Sequence, residues 1–250
     1  MKLAFSRPTR DTDEQRQLFT QFRDVGYAGL QLKQNQYRDA LDTPAQFLSA
    51  WGDYPGVAAS LIFGSPLDSD GVAALRAIFP FAGAVGADRV VYWPRDPAGA
   101  SDAEMRQFAR TLSELGKEAR QAGTKLSLHH HANQIVMTRG DLDRFFSAAE
   151  SGSVGLTVDT AHLVKSGIDD VAGVIRDYRQ MLDNIHLKDF ADGAWRVLGE
   201  GGIDFAPIFA AIRDIGYTGW VCADEESGGD LVGGMQACYR FMESGLSGTP

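Results

Sequence analysis

Apolar positions along the chain change their period again and again. Short runs rich in β-branched, aromatic and aliphatic residues occur at Leu3–Ser6, Tyr27–Lys33, Val57–Gly64, Arg89–Pro94, Lys125–His131, Val154–His162, Asn184–Asp189 and Gly219–Glu225. Between them the apolar residues recur at helical spacing. Ala103–Ala122 aligns Met105, Phe108, Leu112, Leu115 and Ala119, and Asp204–Ile215 places Phe205, Ile208, Phe209 and Ile212 on one face. Thr12, Ser101 and Asp204 are suited to cap helix starts, and Gly26, Gly123 and Gly216 to end helices just before strands. Strand followed by helix, eight times over, without a Pro/Ser-rich linker, predicts a parallel sheet. Eight such units in 250 residues predict one domain, residues 1–250, folded as a single (β/α)8 TIM barrel; an open doubly wound sheet is the alternative. Only the closing GLSGTP reads as frayed.

Successive side chains in a strand point to opposite faces. Leu126 and Leu128 therefore oppose Ser127, His129 and His131; Val154, Leu156 and Val158 oppose Gly155, Thr157 and Asp159. Ile185 and Leu187 oppose Asn184, His186 and Lys188; Val221 and Ala223 oppose Cys222, Asp224 and Glu226. In a barrel the apolar sets face the helices and the others the axis. The axial sets become ionisable at the C-terminal ends of the strands, where barrel active sites form. Burying several carboxylates and imidazoles together requires a compensating cation or ligand. His129, Asp159, His186 and Asp224 make a mixed metal shell, better suited to Mn²⁺, Zn²⁺, Co²⁺ or Fe²⁺ than to Ca²⁺. Blander readings stay open: Asp159 as the cap of a following helix, His186 as a satisfied core histidine. Glu226 is an alternative last ligand, and either Glu225 or Glu226 can be a solvated loop residue.

Charge narrows the partners. The net charge of −9 argues against a nucleic-acid binder, which needs clustered Lys and Arg. Cys222 and Cys238 lack metal-ligand spacing and read as small buried residues. With no apolar signal sequence and no apolar run of bilayer length, a soluble cytoplasmic protein without membrane contact is expected. A homo-oligomer remains open, with the Trp195 loop as a surface for a partner.

GYAGLQLK, KLSLHHHANQIV, VGLTVDTAHLVKSGID, NIHLKDF, VLGEGGIDF and GYTGWVCADEES occur along the chain in this order. This succession resembles the xylose-isomerase-like barrel superfamily, the broad group of sugar phosphate isomerases and epimerases. That group includes inosose dehydratases, hydroxypyruvate isomerases and apurinic endonucleases of the second type. The resemblance implies one divalent metal held by a Glu, an Asp, a His and a second Glu. Asp159 in VDTAH matches the Asp, His186 in IHLKD matches the His, and His162 matches a substrate contact. The first Glu position holds His129, and the second falls on Asp224 with Glu226 next on its face. Both departures touch the glutamate pair that moves protons in the epimerases. The endonucleases need further histidines after the IHLKD-like segment, and ADGAWRV supplies none.

The resemblance implies a metal-dependent isomerase or epimerase for a small sugar or keto-sugar, working through a metal-stabilised enediolate, with Mn²⁺ as the expected ion. His131, His162, Lys188 and Glu226 are the candidate proton carriers, Lys188 alternatively a neutralising cation. Trp93 and Trp195 are candidate apolar walls for a sugar, and Lys33 and Arg95 candidate anion contacts. Glu200 is expected to orient a ligand or His186. A lyase dehydrating a keto-inositol or keto-sugar shares the first proton abstraction and is the alternative. A sugar-binding barrel without chemistry is the third reading.

Overall fold

The computed structural model describes residues 1–248. Eight parallel strands close into a barrel: β1 (Lys2–Ser6), β2 (Gly29–Leu32), β3 (Ser60–Ser65), β4 (Arg89–Pro94), β5 (Leu126–His129), β6 (Gly155–Asp159), β7 (Leu182–Leu187) and β10 (Trp220–Asp224). β1 pairs with β10 on one side and β2 on the other, so no strand edge is left open. Two short strands, β8 (Asp189–Ala191) and β9 (Ala194–Arg196), form a separate hairpin just after β7.

The helices form where their apolar faces and caps dictate. Helix α4 (Asp102–Gln121) starts at Ser101, whose hydroxyl accepts from the Glu104 N–H while Glu104 reaches back, and it buries Met105, Phe108, Leu112, Leu115 and Ala119. Helix α8 (Ala206–Asp214) buries Ile208, Phe209 and Ile212. Helix α1 (Thr12–Val25) is capped by Asp11, not Thr12, because the Asp11 side chain accepts from the Glu14 N–H. Gly26 ends α1 with φ of 120°, a conformation open to glycine. Helix α9 (Leu231–Ser247) runs into the segment expected to fray, because Leu246 is buried; Thr249 and Pro250 lie outside the described residues.

Five strands, β2, β3, β5, β6 and β10, are shorter than expected, and two of them bear on the site. β5 ends at His129, and His130–His131 turn away from the ladder. β6 ends at Asp159, where helix α6 (Thr160–Lys165) begins; the Asp159 carboxylate takes the N–H of His162 and closes the strand by capping that helix. The axial residues change character along the barrel. Ala4, Ala59, Trp220 and Cys222 form an apolar plug that starts at Trp220, the first residue of β10, and reaches Cys222, which pairs with His186. Beside it lie Gln31, Ser127, Thr157 and Asn184, joined by hydrogen bonds. Ionisable groups occupy the C-terminal mouth. Among the described residues, no helix is long and apolar enough to cross a membrane.

Candidate metal centre and active-site cavity

Strand register assembles the centre. Asp159 pairs directly with His186 across β6 and β7, and His129 pairs with Thr157, one axial step below Asp159. One ligand atom from each of His129, Asp159 and His186 lies within 4.8 Å of the other two, and all three residues are buried. Asp159 Oδ2 stands 3.4 Å from His129 Nε2 and 3.9 Å from His186 Nδ1.

His186 is oriented from behind. Gln31 Oε1 lies 2.9 Å from His186 Nε2 and also accepts from Asn184 Nδ2 at 3.1 Å. The acceptor-only oxygen fixes the imidazole proton on Nε2, leaving the Nδ1 lone pair facing Asp159. That Nδ1 is buried and lacks a protein hydrogen-bond partner. Asp159 is divided between two tasks: Oδ1 accepts the His162 N–H at 2.9 Å while Oδ2 faces the imidazoles. The expectation of a ligand and the alternative of a helix cap thus describe the two oxygens of one carboxylate. From the far side, His130 Nε2 accepts the Asp159 peptide N–H at 3.0 Å.

The electrostatics fit a cation. Burial works against ionisation of Asp159, but His162, His129 and Lys188 outweigh it and hold the carboxyl well below its usual range. Burial lowers His186 to about 3, so its Nδ1 is neutral and free to donate a lone pair. An ionised carboxylate oxygen and imidazole nitrogens at these separations match a divalent ion with bonds of about 2.0–2.2 Å.

Asp224 is differently engaged. Its Oδ2 lies 4.0 Å from His186 Nδ1, yet Lys33 Nζ meets Oδ1 at 2.6 Å and Lys188 Nζ meets Oδ2 at 3.0 Å. The same two lysines bind Glu226, Lys33 at 2.8 Å and Lys188 at 2.7 Å. His129, Asp159 and His186 therefore converge, with Asp224 at the margin in a closed square of two lysines and two carboxylates. Glu225 points elsewhere: it is buried against Arg7, with Nη1 donating to its carboxylate at 2.8 Å, and ties β10 to the loop after β1.

The centre opens into a cavity of about 600 Å³. His131 and His162 line it, their ring centroids 3.7 Å apart. Burial, then the neighbouring His129, lowers His131 to about 4. Its Nδ1 lies 3.0 Å from the Ala132 carbonyl, which can only accept, so Nε2 carries the free lone pair. Burial likewise keeps His162 neutral. Trp93 stacks on His131 at 5.0 Å, and its ring fills the space left by Gly64, where a Cβ would fall 2.0 Å from Trp93 Cε2. Trp195, on β9, is half-buried over Lys188, with Nζ 4.4 Å from its ring centroid.

Of the expected site residues, Lys33, Trp93, Arg95, His131, His162, Lys188, Trp195 and Glu226 line this cavity together with His129, His186 and Asp224. Glu200 does not: it is exposed, and Gln31 does the orienting expected of it. The loop that carries Glu200 is pinned by Asp189, whose carboxylate accepts the N–H groups of Gly199 and Gly201 at 3.0 and 2.9 Å. Gln31, His130 and Arg38 escape the pattern of the sequence. Gln31 shares the parity of Lys33 on its strand, a signal that could have marked it; His130 falls on the opposite parity from the ligands and gives none.

Residues 19–243 match the family described as the xylose isomerase-like TIM barrel. An inosose dehydratase from Lacticaseibacillus casei is 32% identical over 145 residues, 50% of this chain and 48% of the relative. An inosose dehydratase from Clostridium tetani is 31% identical over the same length and the same shares. The chain thus spans about half the length of the curated relatives it matches. Among solved structures, an L-ribulose 3-epimerase superposes with a TM-score of 0.84 at 19% identity, covering 98% of this chain and 94% of that one. The IolI protein with a bound zinc atom superposes with a TM-score of 0.76 at 17% identity, over 99% and 98% of the two chains. The barrel closure, the order of its motifs and the match across nearly its whole length agree: the chain belongs to the family of xylose isomerase-like TIM barrels.

Proposed function

We propose that this protein is a divalent-metal-dependent enzyme that removes the proton beside the carbonyl of a small sugar or keto-sugar. The observation that carries this reading is the buried, partnerless Nδ1 of His186, set beside His129 and Asp159 and open to a cavity with two neutral imidazoles. His129, Asp159 and His186 would hold the ion, with Asp224 the nearest further carboxylate. When bound, the ion supplies Lewis acidity that makes the neighbouring C–H acidic. His131, through Nε2, takes the proton, and His162 beside it shares the same wall. Lys188 stays protonated: burial disfavours its charge, but Asp224 and Glu226 more than offset this. It therefore serves as a cation toward developing negative charge, not as a base.

The placement of bases narrows the outcome. Two-base epimerisation needs a competent base on each face of the substrate. Here the imidazoles share the β5–β6 side, while Glu226, across the mouth, is neutralised by two lysines and held below its usual range despite burial. Return of the proton to the adjacent carbon on one face, an isomerisation, suits this arrangement. Dehydration begins with the same abstraction on one face, and the 31–32% identity to inosose dehydratases favours it as the second reading.

Solvent exchange tests both. Metal-loaded protein in D₂O should place deuterium beside the carbonyl of a bound ketose. His131→Asn should slow that exchange by about 100-fold or more, the usual contribution of a positioned base. With keto-inositol, an absorbing enone marks dehydration and a rearranged ketose marks isomerisation. Asp159→Asn should lower affinity for Mn²⁺ or Zn²⁺ by about 100-fold. Wild-type protein that binds neither ion, or exchange unaffected by His131→Asn and by His162→Asn, would sink the proposal.

A further inference from the structure

The cavity is more cationic than a chain of net charge −9 leads one to expect. Four cationic residues line it, Lys33, Arg38, Arg95 and Lys188, against the carboxylates of Asp224 and Glu226. The two lysines and two carboxylates satisfy one another in the closed square, which leaves the arginines over. Among the described residues Arg38, with its side chain 63% exposed, has an ion pair only with Asp39, at 3.4 Å and itself 91% exposed; such a pair is weak and screened. Arg95 forms no ion pair among the described residues, and its guanidinium lies 5.6 Å over the Trp93 ring.

Position gives these two charges a purpose. β2, β3 and β4 are neighbours in the barrel; β2 and β3 lie across the mouth from β6 and β7, and β4 adjoins β5. Arg38 follows β2 and Arg95 follows β4, while between them β3 offers the cavity only Ile62 and Gly64. β3 therefore lines the cavity with no charged side chain. Trp93 links this wall to the reacting end: the Arg95 guanidinium lies 5.6 Å from its ring centroid, His131 stacks on it at 5.0 Å, and His131 lies 5.9 Å from His129. A sugar chain lying along Trp93 would have its carbonyl near the metal ligands and its far end beside Arg95.

We infer that Arg38 and Arg95 form an oxyanion subsite, and that the substrate is a sugar or keto-sugar bearing a carboxylate or phosphate at the end remote from its carbonyl. The inference rests on the proposed proton-transfer reading and names the substrate class of that site. Guanidinium groups favour these two anions because their paired donors match both geometries. The neighbouring square contributes no free charge, so the preference resides in the arginines.

Titration calorimetry with unreactive polyols tests this without turnover. Gluconate is compared with glucitol, and ribitol 5-phosphate with ribitol, on metal-free and on Mn²⁺-loaded protein. At least one anion should bind roughly tenfold or more tighter than its neutral partner in both forms, and the stronger of the two identifies carboxylate or phosphate. Arg95→Ala and Arg38→Ala should each remove about tenfold of that preference, leave neutral polyol affinity unchanged, and preserve the circular-dichroism spectrum. Four results would overturn it: equal affinity for charged and neutral polyols, no binding of either anion, a preference that survives the double substitution, or a preference seen only with Mn²⁺ present. The last would mean direct chelation by the ion. Metal content and deuterium exchange are read separately, so failure of the proton-transfer reading is distinguishable from failure of the subsite.

Discussion

The two ends of the barrel axis are built by the same strands to opposite specifications. From the first residue of β10 inward, Ala4, Ala59, Trp220 and Cys222 close the interior with apolar surface. At the C-terminal end, the barrel strands deliver His129, Asp159, His186 and Asp224, each buried. The intervening amides and hydroxyls connect the two: Gln31 and Asn184 satisfy each other and hold His186 at the boundary. The plug closes apolar surface on itself; the mouth gathers partnerless imidazole nitrogens beside charges that pair with one another. A parity that merely separates inside from outside at one end therefore selects chemistry at the other.

Cutting into the plug should give the largest effect and the cleanest contrast. Trp220→Ala removes a buried ring together with its hydrogen bond to Asp88 and should cost about 3–5 kcal/mol of stability. Metal affinity, measured by equilibrium dialysis on the folded fraction, should stay within twofold or so; a tenfold loss would show the ends are not independent. Gln31→Leu should do the reverse. Losing the acceptor behind His186 should lower metal affinity by roughly 10–100-fold while the protein remains folded. If Gln31→Leu left metal affinity intact, His186 would be positioned by packing alone.

The intermediate layer should show intermediate behaviour. Ser127 bridges Thr157 at 2.7 Å and Asp183 at 2.6 Å, so Ser127→Ala should destabilise by about 1 kcal/mol in urea titration, with little change in metal binding. A pH slope should also originate in the mouth. Burial first, then neighbouring imidazoles, lowers His130 to about 3 and His131 to about 4. The unfolded chain protonates these groups near pH 6.5, while the folded one resists until more acid conditions. Their contribution is thus fully present above about pH 6.5 and is lost as pH falls toward 4. The melting temperature of metal-free protein should fall between pH 7 and pH 5, and His131→Asn should flatten the decline. A melting temperature that rose on acidification would contradict neutral histidines in the mouth.

Sequence alone determined the features that depend on period and order. Alternation along Lys125–His131, Val154–Asp159 and Asn184–Lys188 separated the core-facing residues from the axial ones, because a pleated strand leaves only two directions for a side chain. Eight strand–helix units in succession called for closure, and strand ends rich in His and Asp marked the mouth. Tertiary structure decided the features that depend on neighbours from distant strands. It set Lys33 and Lys188 between Asp224 and Glu226, drawing Asp224 toward two cations. Gln31, 155 residues away along the chain, selects the ligating nitrogen of His186. Asp159 ends its strand by turning one oxygen to the helix it caps while keeping the other for the centre. Glu200 stays exposed outside the cavity lining, in a loop that Asp189 holds, whereas Arg38, which no pattern marked, is among the lining residues. Period is a local property that a strand carries in its own residues; which charge meets which is fixed only when barrel closure brings the strand ends together.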